Sequence, residues 1–279
     1  MTLPDPLAEG RVAQIYPWQD DTILKLARDW VPADWLDYEF RIAKIVHATG
    51  LNVPEPLERL TVDDRPGILY TRVEGKTMLT HIGREPHKAF GYAATLARLH
   101  REMHTKPGAP DLPGIRDRLR GKIMSVEGAP AEIREKVLAH LDALPDGDRL
   151  LHGDFHPDNV MLTPEGKGFM PVIIDWPDAS RGHPLADVAR TSILIRAGGL
   201  PRQPVLRALI GGFRMAFHRA YIHTYFKRAP YARADLQPWL LPLTFARLSE
   251  DIESERVWLI GEVCGMLGIP VPDKSDSHL

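Results

Sequence analysis

A run of polar residues near position 155 constrains this chain more than any other feature of its sequence. Asp154 and Asn159 stand five residues apart, and Asp175 follows Asp154 by twenty-one residues. Two β-type runs, residues 160–163 and 170–174, lie in between and are separated by a glycine-containing turn. This pattern predicts a hairpin, which brings its first and last residues together. We therefore expect Asn159 and Asp175 to be neighbours.

The chemistry of these side chains favours one class of reaction. An amide oxygen from Asn159 and a carboxylate from Asp175 are the hard ligands that Mg²⁺ prefers when phosphates and waters complete its coordination. Asp154, on the loop before the hairpin, is then available to accept a proton from a hydroxyl group held near that metal. Phosphoryl transfer needs this division of labour because it is catalysed mainly by positioning and charge neutralisation.

The rest of the chain changes character near residue 74. Upstream, β-type runs at 12–16, 22–27, 57–62 and 67–73 surround one helical segment that begins near Asp34. Downstream, apolar residues recur mostly at helical spacing, with short strands only around the polar cluster. The sequence thus predicts an α+β fold, in which a small β-rich N-terminal lobe (1–73) precedes a larger, mainly helical C-terminal lobe (74–279).

The bulk composition excludes several classes of partner. The formal net charge is −2, so no overall field attracts nucleic acid or an anionic membrane. Cys264 is the only cysteine, which excludes an intrachain disulfide and suits a reducing compartment. The sequence shows neither a secretory leader pattern nor an apolar run long enough to span a bilayer. We expect a soluble, cytoplasmic protein without a nucleic-acid or membrane partner.

The polar cluster also resembles a known motif. His152-Gly153-Asp154, with Asn159 five residues after the aspartate and Ile174-Asp175-Trp176 further on, resembles the catalytic and metal-binding loops of the aminoglycoside phosphotransferase and choline kinase-like family. That family is related to the protein kinases. The resemblance implies a two-lobed protein-kinase-like fold, with Asp154 as the catalytic carboxylate and Asn159 and Asp175 as Mg²⁺ ligands.

The same resemblance implies a nucleotide site in the N-terminal lobe. Lys25 stands in the middle of a β-type run and resembles the phosphate-contacting lysine of the kinase fold, with Glu39 as its partner on the helix. The segment 68–75 resembles the connector between the lobes, whose backbone near Thr71 and Val73 would meet adenine. Because adenine recognition there is mostly through backbone groups, ATP is the expected phosphate donor. Many relatives have glutamate where Thr71 stands, and this difference leaves GTP as an alternative donor.

Several neighbouring residues are interpreted as structural. The resemblance makes His152 an organiser of the catalytic loop, and Trp176 a packing residue. Asp187 is expected to anchor the catalytic segment through hydrogen bonds at a helix start. His156 and Asp158 are left open, since each can either approach the substrate or brace the loop.

The sequence indicates the type of reaction more clearly than the molecule that accepts the phosphate. The segment 249–255 carries four acidic residues where aminoglycoside-phosphorylating relatives place substrate-binding carboxylates, although acids in the first turn of a helix also complement its dipole. Choline-type sites use aromatic cages, but Trp239, Phe245 and Trp258 are interpreted as core residues. The sequence favours a small hydroxyl compound, aminoglycoside-like first, with choline, homoserine or sugar-type metabolites as alternatives. It does not indicate an oligomeric state.

Two other classes of function remain as alternatives. The alternation His152-x-Asp154-x-His156-x-Asp158 is compatible with a metal-dependent hydrolase if these residues share one strand face, since histidine suits zinc. A non-catalytic nucleotide-binding module is also conceivable, but Lys25, Asp154 and Asp175 are all retained. If the protein is a kinase, Asp154→Asn is expected to keep nucleotide binding and to lose turnover.

Overall fold

The computed structural model describes residues 3–166, 168–197 and 203–271, and its fold is α+β. The strands are β1 (Ala8–Glu9), β2 (Ala13–Pro17), β3 (Thr22–Ala27), β4 (Pro56–Val62), β5 (Arg65–Thr71), β6 (Lys76–Thr77), β7 (Arg149–Leu151), β8 (Val160–Glu165), β9 (Gly168–Ile173) and β10 (Ser180–Gly182). The helices are α1 (Ala33–His47), α2 (Met78–Arg84), α3 (Ala89–Met103), α4 (Ile115–Met124), α5 (Ala131–Asp142), α6 (Pro184–Arg196), α7 (Pro204–Phe226), α8 (Gln237–Arg247) and α9 (Glu253–Leu267).

An antiparallel sheet with the strand order β1–β2–β3–β5–β4 forms the N-terminal part of the molecule. Its strands alternate between two apolar clusters because successive side chains point to opposite faces. Leu24 and Leu26 pack with Tyr16 and Leu69 on one face, whereas Ala27 packs on the other face with residues of α1. Lys25 therefore projects toward the face that α1 covers.

The predicted hairpin is present and lies in a second sheet with the order β6–β8–β9. In its register, Val160 pairs with Ile173 and Glu165 pairs with Gly168. Gly75, just before β6, has a φ of +126°, and a Cβ atom there would lie 2.3 Å from the carbonyl oxygen of Leu162. Only glycine fits this approach to β8.

Packing divides the chain into two compact units, which we call unit 1 and unit 2. Unit 1 comprises Met1–Arg84 and Pro157–Asp178, and unit 2 comprises Glu85–His156 and Ala179–Leu279. This division differs from the predicted boundary between residues 73 and 74, because β8 pairs with β6 and draws its hairpin into unit 1. Long-range strand pairing of this kind leaves no local signal in the sequence.

Unit 2 is mainly helical. Helix α8 lies at its centre and packs against α4, α5, α6 and α9, while α3 packs along α7. The short strands β7 and β10 pair antiparallel, with Leu151 opposite Ser180. Helix α3 buries Ala93, Leu96 and Met103 fully, whereas Phe90 is 61% exposed.

In the part of the chain that the structure describes, no helix combines the length with the apolar character that a membrane span requires.

Candidate active site

Lys25 is the centre of the charged cluster in unit 1. Its Nζ atom lies 2.6 Å from Oε1 of Glu39 on α1 and 3.1 Å from Oδ1 of Asp175. Tyr70 on β5 donates its hydroxyl to the same Glu39 oxygen at 3.3 Å. Burial disfavours the charged form of Lys25, but the carboxylates of Glu39 and Asp175 outweigh it and hold the pKa of the ammonium above its usual value. Lys25 therefore stays protonated beside Asp175.

Asn159 and Asp175 lie at the open end of the β8–β9 hairpin, as the sequence predicted. The N–H of Ile174 donates to the carbonyl of Asn159 at 3.0 Å, which holds the two chain ends together. Asp175 has a left-handed backbone with a φ of 64°, a conformation that is uncommon for a residue other than glycine. An amide oxygen and a partly exposed carboxylate are suitable donors for Mg²⁺. Their role as metal ligands stays a prediction.

Of the connector residues, Thr71 is the last residue of β5 in the N-terminal sheet, and Val73 follows that strand. The N–H of Thr71 donates to the carbonyl of Glu55 at 3.0 Å, and its hydroxyl accepts the N–H of Glu55 at 2.8 Å. These two groups of Thr71 are therefore already used within unit 1. A contact of this segment with adenine stays a prediction, and it would depend on other backbone groups.

In unit 2, hydrogen bonds to a buried aspartate hold the loop that carries Asp154. Asp187, near the start of α6, accepts the N–H of His152 at 2.6 Å and the N–H of Gly153 at 2.9 Å. Gly153 has a φ of +81°, which the turn needs and which glycine adopts without strain. The N–H of Asp154 donates to Nδ1 of His152 at 3.2 Å. The predicted structural roles of His152 and Asp187 are confirmed.

The two carboxylate oxygens of Asp154 have different neighbours. Its Oδ1 atom lies 3.3 Å from Nη2 of Arg190, and its Oδ2 atom lies 3.5 Å from Nε2 of His156. Burial raises the pKa of Asp154, but the hydrogen bond from His156 and the charge of Arg190 overcome this and hold the pKa well below its usual value. Asp154 is therefore ionised at neutral pH.

Two histidines and two tyrosines complete the surroundings of Asp187. Nε2 of His100 lies 3.1 Å from Oδ2 of Asp187, and Nε2 of His104 lies 3.4 Å from the same atom. The Nδ1 atoms of these rings pair with the hydroxyls of Tyr221 and Tyr225 at 2.6 Å and 2.8 Å. Neutral histidines that donate through Nε2 and accept through Nδ1 satisfy every one of these contacts. The cluster is thus explained as a hydrogen-bonded anchor without a metal ion.

Two buried histidines make the stability of the protein depend on pH. Burial lowers the pKa of His100 to about 4, and burial together with the charge of Arg196 lowers the pKa of His218 to about 4. The unfolded chain therefore binds more protons than the folded one between pH 6.5 and 4. We expect each histidine to reduce the free energy of unfolding by up to about 1.4 kcal/mol per pH unit as the pH falls through that window.

Urea unfolding at pH 7, 6 and 5 measures this dependence. In His218→Gln the slope should be shallower than in the wild type, whereas in His87→Gln, which changes an exposed histidine, it should be unaltered. Equal slopes in His218→Gln and the wild type would contradict the prediction.

The acidic segment near the C terminus is largely neutralised by basic side chains. Glu250 lies 2.8 Å from Arg190 and 3.1 Å from Lys122, and it also pairs with Arg247. Glu255 is buried and accepts two hydrogen bonds from Arg247, at 2.8 Å and 3.0 Å. Glu255 also lies in the first turn of α9, as the helix-dipole interpretation expected. Two of the four acids are thus engaged inside the protein.

The structure also bears on two other sequence interpretations. Trp239 and Phe245 are buried in α8, and Trp176 is buried and donates its indole N–H to Ile173, so all three are core residues as expected. The hydrolase alternative required residues 152–158 to share a strand face, but β7 ends at Leu151 and Pro157–Asn159 form a 3₁₀ helix. The alternation is therefore not a set of ligands on one strand.

Arg190 is the residue of this site that sequence reasoning missed. It lies on α6, three residues after Asp187, and contacts the loop through both its Nε and its Nη2 atoms. An arginine in a helix gives no local indication of its distant partner. The sequence feature that could have indicated its role is its position, about one helical turn after Asp187.

The sequence of the chain is similar to a family of known proteins and to individual relatives. The sequence model described as the phosphotransferase enzyme family matches residues 6–240. Acyl-CoA dehydrogenase family member 11 from Gallus gallus is 28% identical over 173 residues, which are 55% of this chain and 22% of that protein. The same protein from Homo sapiens is 26% identical over 182 residues, which are 58% and 23% of the two chains. The match therefore spans less than a quarter of these relatives.

Solved structures match over most of the chain. Aminoglycoside phosphotransferase APH(4)-Ia superposes with a TM-score of 0.62 at 16% identity and covers 95% of this chain and 92% of its own. A thermostable mutant of that protein, in ternary complex with ADP and hygromycin B, gives 0.62 at 14% identity, with 96% and 94% covered. APH(3'')-Id from Streptomyces rimosus, in complex with ADP and streptomycin, gives 0.55 at 18% identity, with 84% and 90% covered. These likenesses establish a shared fold.

Proposed function

The chain belongs to the phosphotransferase enzyme family, and from that premise we propose that it transfers the γ-phosphate of ATP to a hydroxyl group of a small molecule. The observation that carries this proposal is the Lys25 ammonium, which is held between Glu39 and Asp175 at 2.6 Å and 3.1 Å. An ammonium fixed beside a metal-binding carboxylate is the arrangement that phosphates of a nucleotide require. The ADP complexes of the solved structures support a nucleotide donor.

Unit 1 supplies the groups for the phosphates. Lys25 binds phosphate oxygens, and Glu39 orients its ammonium so that little rotational freedom is lost on binding. Asn159 and Asp175 are the residues that would hold a Mg²⁺ ion, because amide and carboxylate oxygens are its preferred protein ligands. When bound, this ion neutralises charge on the transferring phosphate. The left-handed backbone of Asp175 supports this assignment, since strained residues are concentrated at functional sites.

Unit 2 supplies the proton acceptor. Asp154 orients the acceptor hydroxyl and takes its proton as the oxygen attacks phosphorus. Its depressed pKa ensures that the carboxylate is ionised when substrate arrives. The hydrogen bonds from His152 and Gly153 to Asp187 hold the loop in place before binding, so that little reorganisation is needed during the reaction.

The acceptor that we propose first is an aminoglycoside-like compound. Two of the solved structures that share the fold contain a bound aminoglycoside, hygromycin B in one and streptomycin in the other. The ion pairs of Glu250 and Glu255 favour a second candidate, a less cationic hydroxyl compound such as a homoserine- or sugar-type metabolite. Carboxylates that Arg190, Lys122 and Arg247 already neutralise attract a polycation weakly.

A transfer screen tests the proposed function. Purified protein is incubated with Mg²⁺ and either ATP or GTP, together with hygromycin B, streptomycin, choline, homoserine or a simple sugar. Phosphorylated product is detected by mass spectrometry, and ADP or GDP formation gives the rate. Nucleotide binding without transfer to any acceptor would favour a non-catalytic module. Tightly bound zinc with chelator-sensitive hydrolysis would favour the hydrolase alternative.

Lys25→Met should reduce kcat/KM for ATP by about 10–100-fold, because it removes one charge-assisted interaction with phosphate worth about 1.5–3 kcal/mol. Steady-state kinetics with ATP as the varied substrate measure the effect. The matched control is Lys44→Met on the exposed face of α1, where the lysine lies over the ring of Phe40. Similar losses in both variants would contradict a specific role for Lys25.

A further inference from the structure

Arg190 makes a forked contact with the loop that carries Asp154. Its Nε atom donates to the carbonyl of Gly153 at 3.1 Å, and its Nη2 atom donates to Oδ1 of Asp154 at 3.3 Å. The side chain is only 7% exposed, so solvent screens these contacts weakly. A planar guanidinium that binds a backbone carbonyl and the adjacent carboxylate fixes both the position and the rotation of that carboxylate.

The two oxygens of Asp154 are therefore not equivalent. Oδ1 is directed to Arg190, whereas Oδ2 is directed toward His156. Each oxygen thus has its own basic neighbour, and the two neighbours together restrict rotation of the carboxylate.

A second carboxylate holds Arg190 in turn. Oε1 of Glu250 lies 2.8 Å from Nη2 of Arg190, which is the same nitrogen that contacts Asp154. Glu250 is itself fixed by Lys122 and by Arg247. Burial raises the pKa of Glu250, but the charges of Arg190, Lys122 and Arg247 overcome this and hold it below its usual value. Arg190 is consequently held by contacts to two parts of unit 2, which are the loop that carries Asp154 and the segment after α8.

We infer that Arg190 is a positioning residue for phosphoryl transfer, which holds the carboxylate of Asp154 in the orientation that meets the acceptor hydroxyl, and that Glu250 acts on the reaction through Arg190. This inference rests on the proposed function, since it presupposes that Asp154 is the proton acceptor. Arg190 lies within the region that the family model matches, which ends at residue 240, whereas Glu250 lies beyond it.

Kinetics of single and double variants test the inference. Turnover is measured as ADP formation from MgATP, with hygromycin B as the acceptor and with water alone. Arg190→Met preserves length and removes the charge, and it should lower kcat on the order of 10²-fold, because a misdirected catalytic group costs about that much. The KM for ATP should change less than about 3-fold, since the phosphate-binding groups belong to unit 1. Arg190→Lys keeps the charge without the fork and should recover part of the rate.

The double variant tests the link to Glu250. Glu250→Gln should lower kcat by a smaller factor than Arg190→Met does. If Glu250 acts through Arg190, the double variant loses no more than Arg190→Met alone. Losses that multiply would overturn this link. Arg196→Met is the matched control, because it removes an ion-paired arginine of the same helix whose partner is Glu262.

The outcomes separate this inference from the proposed function. Wild-type kcat in a folded Arg190→Met, together with an inactive Asp154→Asn, would overturn the inference and leave the function intact. Equal ADP formation by the wild type and Asp154→Asn would overturn the function itself. If Arg190→Met does not fold, Arg190→Lys and Glu250→Gln carry the test. A lowered kcat with unchanged KM for ATP in these two variants supports the inference, and unchanged kcat in both overturns it.

Discussion

Asp154→Asn should lower kcat by about 10²–10⁴-fold, the range that a positioned general base contributes. The amide has nearly the same shape as the carboxylate and still accepts from Arg190, but it no longer takes a proton from the acceptor hydroxyl. Affinity for ATP should be unchanged, because the groups assigned to the phosphates, Lys25 and Asp175, belong to unit 1. ADP formation gives kcat, and isothermal titration calorimetry gives the affinity.

The control for this change is Asp148→Asn. It makes the same replacement in unit 2 at an exposed aspartate just before β7. It should leave both kcat and ATP affinity at their wild-type values. Undiminished transfer by Asp154→Asn to an acceptor that the wild type phosphorylates would remove Asp154 from the mechanism.

Asp187→Ala should lower the free energy of unfolding by about 3–5 kcal/mol, because several buried hydrogen-bond donors lose their acceptor at once. The substitution leaves the N–H groups of His152 and Gly153 and the rings of His100 and His104 without their shared acceptor. Each buried donor left unpaired costs about 1–3 kcal/mol, and the cavity that forms adds to this. Urea unfolding measures the loss.

Two further variants define what Asp187 contributes. Asp187→Asn keeps one oxygen acceptor and should cost less than Asp187→Ala. Asp142→Ala removes a carboxylate at the end of α5 that is half exposed and paired with Arg120, and it should cost less than about 1 kcal/mol. A loss in Asp187→Ala no larger than that in Asp142→Ala would show that the network is not needed for stability.

Local patterns in the sequence predicted the elements of the fold well. The helical segment that was expected to begin near Asp34 forms α1, from Ala33 to His47, and the predicted hairpin that carries Asn159 and Asp175 is present. These features depend on side-chain periodicity and on turn residues, which a short window of sequence contains. The Lys25–Glu39 pair, implied by a resemblance to kinases, is also present at 2.6 Å.

The parts that were not predicted depend on contacts between distant residues. Lys25 and Asp175 are 150 positions apart, and the link from Arg190 to Glu250 joins α6 to the segment after α8. Arginine and glutamate are common on exposed helix faces, so neither residue type indicates a buried ion pair. The predicted role of the acids in 249–255 could not be judged without knowing which basic side chains surround them.

Unit 1 is built from two separate segments of the chain, and this has a consequence for synthesis of the protein. Its two segments, Met1–Arg84 and Pro157–Asp178, are separated in the chain by a long stretch of unit 2. A nascent chain that has left the ribosome as far as Arg84 has its N-terminal sheet but lacks β8, β9 and Asp175. At about 5–20 residues per second, roughly 5–20 s pass before Asp178 is added. The sheet that contains Lys25 is therefore made well before the carboxylate that pairs with it, and no single truncation yields unit 1 alone.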